Sequence, residues 1–286
     1  MTAKMPERIG LICGAGEFPI LLAKGAVKAG HEVITVGFKG ITPPDIEQYS
    51  AKTEYFRLGR INAPIQFFKK NGARRIMMAG NVPHVSIFGG IMPDLRAIRL
   101  LASLKDKRAN SLLSSIVDEL KKDGLEMISS AEFLPEMLAK EGLVCGNPLT
   151  QDEKNAAAYG WEAAKALATL DIGLTVVLRE KIVYAAEGQE GTDRCILRAG
   201  DLMRQSGDKG RLMVVKVARP KQDMRFDLPV AGIQTLKTMR EAGAGILVVE
   251  AEKTLIFNPE DFIKEAERAG ITVFAAKDKE SFANRQ

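Results

Sequence analysis

Aromatic residues are scarce in this chain. Phenylalanine, tyrosine and tryptophan make up 6% of 286 residues, with a single tryptophan. So few rings exclude a stacking platform for single-stranded nucleic acid. Cysteine is also sparse: Cys13, Cys145 and Cys195 are odd in number and far apart, without metal-type spacing. They read as reduced thiols in a cytosolic protein rather than a disulfide framework or a zinc site. There are two histidines, His31 and His84, and no HExxH pattern. The nucleophile turn GxSxG is missing too. General base chemistry is left to a carboxylate or a lysine. No apolar run approaches the roughly 18 residues of a membrane span. The short polar stretch Met1 to Arg8 does not read as a signal peptide. Blocks of like charge are absent, and the net charge of +5 comes from 41 basic and 36 acidic residues that are well mixed. That excess is too diffuse for nucleic acid, but it suits a small anion or brief contact with an anionic membrane surface.

What is present is an ordinary globular composition, 46% hydrophobic and 27% charged, at a length comfortable for two domains. Ile9 to Cys13 is an apolar run ending at Gly14-Ala15-Gly16-Glu17-Phe18-Pro19. A helical pattern from Pro19 to Ala29 and an alternating stretch from His31 to Gly37 complete a strand–turn–helix–strand unit with parallel strands. A strand over Glu54–Leu58, a helix over Ala63–Asn71, a strand over Arg75–Ala79 and a helical region over Asp94–Gly124 follow, with a break near Lys105–Asn110. Glu126–Ser129 reads as a further strand. Residues 1–133 are thus expected to form an α/β domain with an open, mostly parallel Rossmann-like sheet. The stretch 134–151, with Gly142, Gly146 and Pro148 and no strong period, reads as a linker. Residues 152–286 read as a mixed α/β catalytic domain. It opens with a helix over Asp152–Thr169 whose apolar positions are Ala156, Tyr159, Ala163, Ala166 and Leu167. Strands are expected over 173–178, 183–186, 212–217, 246–249, 255–257 and 272–275, and helices over Thr192–Gln205, Leu228–Ala242 and Pro259–Ala269. Glu250-Ala251-Glu252-Lys253 reads as a hairpin turn.

Four segments carry candidate chemistry. In Lys216–Pro229 an apolar strand gives way to cations, two carboxylates, an amide and two prolines, as when a strand delivers polar groups to a sheet edge. Lys216, Lys221 and Arg225 are suited to an anion, and Asp227 to a metal ion or a water. Asp227 is equally placed to cap the helix that follows. Glu187–Asp193 offers carboxylates and the Thr192 hydroxyl, either as a hard-metal or phosphate loop or as a plain helix N-terminus. The turn Gly14–Pro19 precedes a helix whose N-terminus favours anions. It departs from the dinucleotide fingerprint, because Pro19 stands in place of the third glycine and no acidic ribose ligand ends the second strand. Asn81 lies where a parallel strand ends, placed either to bond a base or sugar or to cap a turn, and Met92-Pro93-Asp94 reads as a helix start with Asp94 as cap.

Taken in order, Gly14–Pro19, Ala79-Gly80-Asn81-Val82, Met92-Pro93-Asp94, Leu170-Asp171-Ile172-Gly173, Glu190-Gly191-Thr192-Asp193 and Lys221-Gln222-Asp223-Met224-Arg225-Phe226-Asp227-Leu228-Pro229 resemble the LpxI family, the UDP-2,3-diacylglucosamine pyrophosphatases. The resemblance runs over nearly the whole chain. It implies a two-domain, magnesium-dependent hydrolase (manganese or cobalt being the alternatives) in lipid A assembly. Such an enzyme splits an acylated sugar nucleotide into UMP and 2,3-diacylglucosamine 1-phosphate. It further implies that the family's essential aspartate is Asp227. With it, the metal donors expected are Asp227, Glu190 and Asp193. The substrate contacts expected are Gly14, Gly16, Glu17, Pro19, Asn81, Thr192, Lys216, Lys221, Gln222 and Arg225. A cytoplasmic enzyme, peripheral to the inner membrane, fits that substrate, and a homo-oligomer is compatible with the chain. One departure stands out: Arg108-Ala109-Asn110 replaces a Gly-Asp-Asp triplet of the family. The rival readings are a nucleotide-dependent oxidoreductase and a non-catalytic carrier of the same sugar nucleotide or lipid.

Overall fold

The computed structural model describes residues 6–82, 93–104, 109–220, 223–225 and 228–283. Asp227, Lys221 and Gln222 lie outside the described residues, as do His84, Met92 and Arg108. The chain divides into two compact units, residues 1–134 with 224–226, and residues 135–223 with 227–286.

The first unit is built on β1 (Arg8–Cys13), β2 (Glu32–Phe38), β3 (Lys52–Phe56), β4 (Arg75–Ala79) and β5 (Glu126–Met127). They form one sheet in the order β3-β2-β1-β4-β5, and every pairing is parallel. The inner strands are buried on both faces, which is why β1 and β2 read as apolar runs. Helix α1 (Phe18–Lys28) connects β1 to β2, and α2 (Asn62–Lys70) connects β3 to β4. Ile65, Phe67 and Phe68 of α2 pack with Ile34, Val36 and Ile76 of the sheet. Helices α3 (Leu95–Ser103) and α4 (Ala109–Lys122) follow, and the break expected near Lys105–Asn110 falls largely outside the described residues. The strand order reverses between β1 and β4, the position where doubly wound sheets bind ligands.

The second unit holds a six-stranded sheet in the order β6-β13-β11-β9-β7-β8. Its strands are β6 (Gly142–Cys145), β7 (Thr175–Arg179), β8 (Ile182–Ala186), β9 (Leu212–Lys216), β11 (Ala244–Glu250) and β13 (Thr272–Ala276). The central β9, β11 and β13 are parallel, while β6, β7 and β8 add antiparallel margins. Period-two alternation splits β9 between two cores. Leu212 and Val214 face α6 (Thr192–Ser206), α7 (Ile233–Ala242) and α8 (Pro259–Arg268), whereas Met213 and Val215 face α5 (Gln151–Thr169).

Several expectations differ from what is seen. The stretch 134–151 carries β6, which pairs with β13, with Val144 and Cys145 packed into the core and Leu143 exposed. Helix α5 presents Ala156, Ala157, Gly160, Trp161, Ala164 and Ala168 to the sheet, and Tyr159 is exposed. Small residues at that spacing let the helix lie close to β7 and β9. Helix α7 begins at Ile233, with Gly232 as its cap. Val230 and Ala231 instead form β10, paired in parallel with Leu255 and Ile256 of β12. The helix thus starts later than expected, and the expected capping by Asp227 lies outside the described residues. Nor is 250–253 a hairpin turn, since β12 pairs with β10 and Glu250 points into the protein.

Candidate functional site

In the second unit, two separately noted segments meet at one end of the sheet. Lys216 closes β9 opposite Thr175, the first residue of β7. Antiparallel pairing brings the end of β8 to the same place, so that Glu187 N–H bonds Thr175 O at 2.9 Å. The Glu187 carboxylate accepts from Leu174 N–H at 3.0 Å and from the Thr192 hydroxyl at 3.0 Å. Thr192 opens α6 after Gly191. Lys216 Nζ donates to Val230 O at 2.9 Å. Burial holds its ammonium below the ordinary lysine value, against the opposing pull of Glu187 and Asp193. Lys216, Thr192, Glu187 and Asp193 thus share one electrostatic neighbourhood. A partly desolvated lysine there gains from an arriving anion, because added negative charge favours its protonated form.

The loop leaving β9 is tied down by Glu250 and Lys165, which carry no motif, and by Asp171 of a family marker. Val217 N–H bonds Leu174 O at 3.0 Å. Ala218 N–H donates to the Glu250 carboxylate at 2.8 Å, and Ala218 O accepts from Lys165 Nζ at 3.0 Å. Arg219 pairs with Asp171 at 2.6 Å. Further on, Pro229 O accepts Leu255 N–H at 2.9 Å. Glu250 went unnoticed because a charge ending an apolar run looks like the start of a turn. Lys216 ends its run in the same way, and that likeness was the available signal.

Met224 and Arg225 group with the first unit. There Ser129 Oγ donates to Met224 O at 2.8 Å, and the fully buried Ser130 Oγ lies 2.9 Å from Met78 O and 3.4 Å from Arg225 O. The Arg225 residue itself is exposed.

At the switch between β1 and β4, the two strand-end loops are zipped together. Gly14 N–H donates to Ala79 O at 2.8 Å, Ala15 N–H to Asn81 O at 2.8 Å, and Asn81 N–H to Ala15 O at 2.9 Å. A Cβ on Gly14 would sit 2.7 Å from the Gly80 backbone. One on Gly80, at φ +93°, would sit 2.7 Å from Ala15 O and 2.8 Å from Pro19 Cγ. Glycine at both positions therefore serves backbone contact, and Pro19 packs where the fingerprint would place its glycine. The amides of Gly14 and Ala15 are engaged, so they do not cradle an anion as expected. Gly16, Glu17 and Asn81 remain exposed at the head of α1 and the end of β4.

The expected metal donors are not assembled among the described residues. Glu190 accepts from Arg198 at 2.5 Å and from Gly188 N–H at 3.0 Å, and the Arg198 cation holds its carboxyl below the usual range. That makes it a staple of the 187–191 turn rather than an open oxygen donor. No three histidine, cysteine or carboxylate side chains converge among the described residues. Asp227, the remaining expected donor, lies outside them. Asp94, part of one family marker, is a cap: its carboxylate takes N–H bonds from Ala97, Ile61 and Asn62. Near it, Asp94, Arg96, Ile98, Arg99, Glu119 and Lys122 are among the residues lining a groove of about 1000 Å³. Among the described residues no helix is long and apolar enough to cross a membrane.

Two domain models match in succession, the LpxI N-terminal domain over residues 8–137 and the LpxI C-terminal domain over residues 140–274. The UDP-2,3-diacylglucosamine pyrophosphatase LpxI of Caulobacter vibrioides is 28% identical over 280 residues, covering 96% of this chain and 99% of its own length. Among solved structures, a biotin carboxylase–β,γ-ATP complex from Campylobacter jejuni is similar at 15% identity and a TM-score of 0.27, over 70% of this chain and 43% of the other. A phosphoribosylglycinamide synthetase from Anaerococcus prevotii stands at 13% identity and 0.26, over 65% and 40%. This chain spans less than half the length of either, and likeness at that level carries no argument about function. With one domain model after the other accounting for nearly all of its length, the chain belongs to the LpxI family.

Proposed function

We propose that this protein hydrolyses the phosphoanhydride of UDP-2,3-diacylglucosamine. Water would attack the α-phosphorus, the bridging P–O bond would break, and UMP and 2,3-diacylglucosamine 1-phosphate would leave. The observation that carries the reading is the end-to-end match to a relative bearing that activity in its name. The strand-end cluster of the second unit adds support, because phosphoryl transfer relies on positioning and charge stabilisation more than on covalent chemistry. Lys216 and Thr192, with Lys221 from the following loop, would hold the diphosphate. Asp227, by its place in the motif, would orient the attacking water or carry a divalent ion.

The substrate's acyl chains imply work at a bilayer. Contact with an anionic membrane surface would fall on α3. Its Leu95, Ile98 and Leu101 are 73%, 49% and 47% exposed, while Ala97 and Leu100 on the opposite face are buried. The neighbouring Glu119 is neutralised by Arg96 and Lys122. Arg60, Arg99 and Lys122 line the adjoining groove.

The test is UMP release from UDP-2,3-diacylglucosamine, with and without chelator, by the native chain and by Asp227→Ala. Loss of a transition-state contact lowers turnover by about 100-fold or more, and the variant should do so while still binding substrate. A folded Asp227→Ala enzyme at native rate would overturn the mechanism. A native chain that binds the substrate without releasing UMP would point to the carrier instead.

A further inference from the structure

We propose that Glu187 is a specificity-determining residue of the strand-end cluster, one that disfavours phosphate monoesters relative to the phosphoanhydride. This rests on the reading above that Lys216 and Thr192 hold the diphosphate. The Glu187 main chain is fixed on both sides. Its N–H bonds Thr175 O at 2.9 Å, and a Cβ on Gly173 would stand 2.2 Å from Glu187 O, so glycine there lets the two segments close. The carboxylate spans Leu174 N–H and the Thr192 hydroxyl, each at 3.0 Å. Both are neutral donors. Glu190, three residues on, instead has its charge met by the Arg198 guanidinium. The negative charge of Glu187 is thus held beside Thr192, and it acts on the Lys216 ammonium, as does Asp193 from the first turn of α6.

A glutamine oxygen could accept the Thr192 hydroxyl as well, so that bond alone does not call for a charge. A fixed carboxylate repels every phosphate, but not equally. In the phosphoanhydride each phosphoryl group carries a single negative charge. Cleavage turns both halves into phosphate monoesters, whose second pKa of about 6 gives each a charge of about −1.5 to −2 at neutral pH. Whichever half lies beside Thr192, the negative charge near Glu187 rises once the bond is broken. One further unit charge at about 4 Å costs about 1 kcal/mol even in water, which is about fivefold in affinity. Glu187 therefore weakens the hold on products more than the hold on substrate. Discrimination of this kind comes from repulsion of the wrong ligand rather than from new contacts to the right one.

The experiment compares UMP with its singly charged methyl ester as ligands of the full-length protein, native and Glu187→Gln, by titration calorimetry at one fixed divalent-ion concentration. At pH 8 the ratio of the two dissociation constants should shift by about fivefold in favour of UMP in the variant. At pH 5, where UMP has taken up its second proton, native and variant should give the same ratio. Lys216, Asp193 and the Glu190–Arg198 pair are the other charged groups around Thr192, and they are common to both proteins. Glu187→Asp keeps the charge but shortens the reach to the two donors, and it should retain the native ratio. An unchanged ratio at pH 8 in Glu187→Gln would overturn the proposal. So would a shift that persists undiminished at pH 5, or one that Glu187→Asp reproduces in full, either of which would mark the residue as merely structural. If Glu187→Gln does not fold, Glu187→Ser is read in the same way. Failure of the underlying reading has a separate signature: Lys216→Gln with native affinity for both ligands, or no UMP release by the native chain.

Discussion

Asp94 offers the sharpest test of the first unit, because one carboxylate caps two helices. Its Oδ1 accepts Ala97 N–H at 2.8 Å at the start of α3, and its Oδ2 accepts Ile61 N–H at 2.9 Å and Asn62 N–H at 2.8 Å at the start of α2. Three hydrogen bonds to a charged acceptor would sum to several kcal/mol if the freed N–H groups stayed dry, at about 1.5–3 each. They do not stay dry: Asn62 is exposed and Ile61 half-buried, so water replaces part of the loss. The relevant scale is the cap, about 1 kcal/mol per helix end. Asp94→Ala should therefore cost the first unit about 2 kcal/mol, which is about a 30-fold fall in amide protection at about 1.4 kcal/mol per decade. Native-state hydrogen exchange at the first turns of α2 and α3 reads this directly, and it suits a two-unit chain for which a single unfolding midpoint is ill-defined. Asp94→Asn keeps one acceptor oxygen and should lose about half as much, at one helix. The carboxyl sits below the ordinary aspartate value: burial pushes it up, but N–H bonds led by Ala97 and Asn62 outweigh that. A depressed acid stabilises the fold above its unfolded value of about 3.9 and loses that contribution as the pH falls through its folded one. The difference between native and Asp94→Ala should therefore hold at neutral pH and vanish in strong acid. A change under twofold at neutral pH, or one confined to a single helix, would refute the shared cap.

Two further outcomes follow from the second unit and from α3. Glu190→Gln should leave UMP release within about threefold of native and leave any metal dependence unchanged, because its carboxylate staples a turn to Arg198; kinetics across a divalent-ion titration decide this, and a raised metal requirement would restore Glu190 as a ligand. Replacing Leu95 and Ile98 by serine should weaken flotation with phosphatidylglycerol vesicles by about tenfold or more, each buried side chain being worth about 1.5–3 kcal/mol, while turnover of detergent-dispersed substrate stays native; unchanged flotation would remove α3 from the membrane contact.

The strands were legible because buried parallel strands are nearly continuous apolar runs, and the helix start at Asp94 carries a side-chain cap that local chemistry announces; the Thr150 cap, which opens α5, was hidden in a stretch that reads as linker. The buried face of α5 was not. An alanine-rich helix has little period to read, and Gly160 carries no side chain to mark the side that lies on the sheet. The short β10–β12 pairing joins Val230 to Leu255, a match of two residues apiece that no local pattern reveals, and it displaced the expected start of α7. At the site, Lys216 and the 187–193 turn were noticed separately, but only the antiparallel return of β8 explains why they meet. The ion pair of Glu190 went unread for a related reason. Its partner Arg198 lies eight residues on, across the first two turns of α6, and an arginine on a helix looks like ordinary solvated surface.

Of the strands in its sheet, β1 is made first, yet it ends up in the interior, between β2 and β4. β2 follows after one helix, but Arg75 of β4 emerges some 60 residues after Cys13. At bacterial elongation rates of about 20 residues per second, and more slowly elsewhere, the nascent chain waits about 3 s or longer with one side of its founding strand open. An unpaired apolar edge is a template for the wrong partner. For this protein the hazard of misassembly is therefore concentrated on the ribosome, in the interval before its fourth strand arrives.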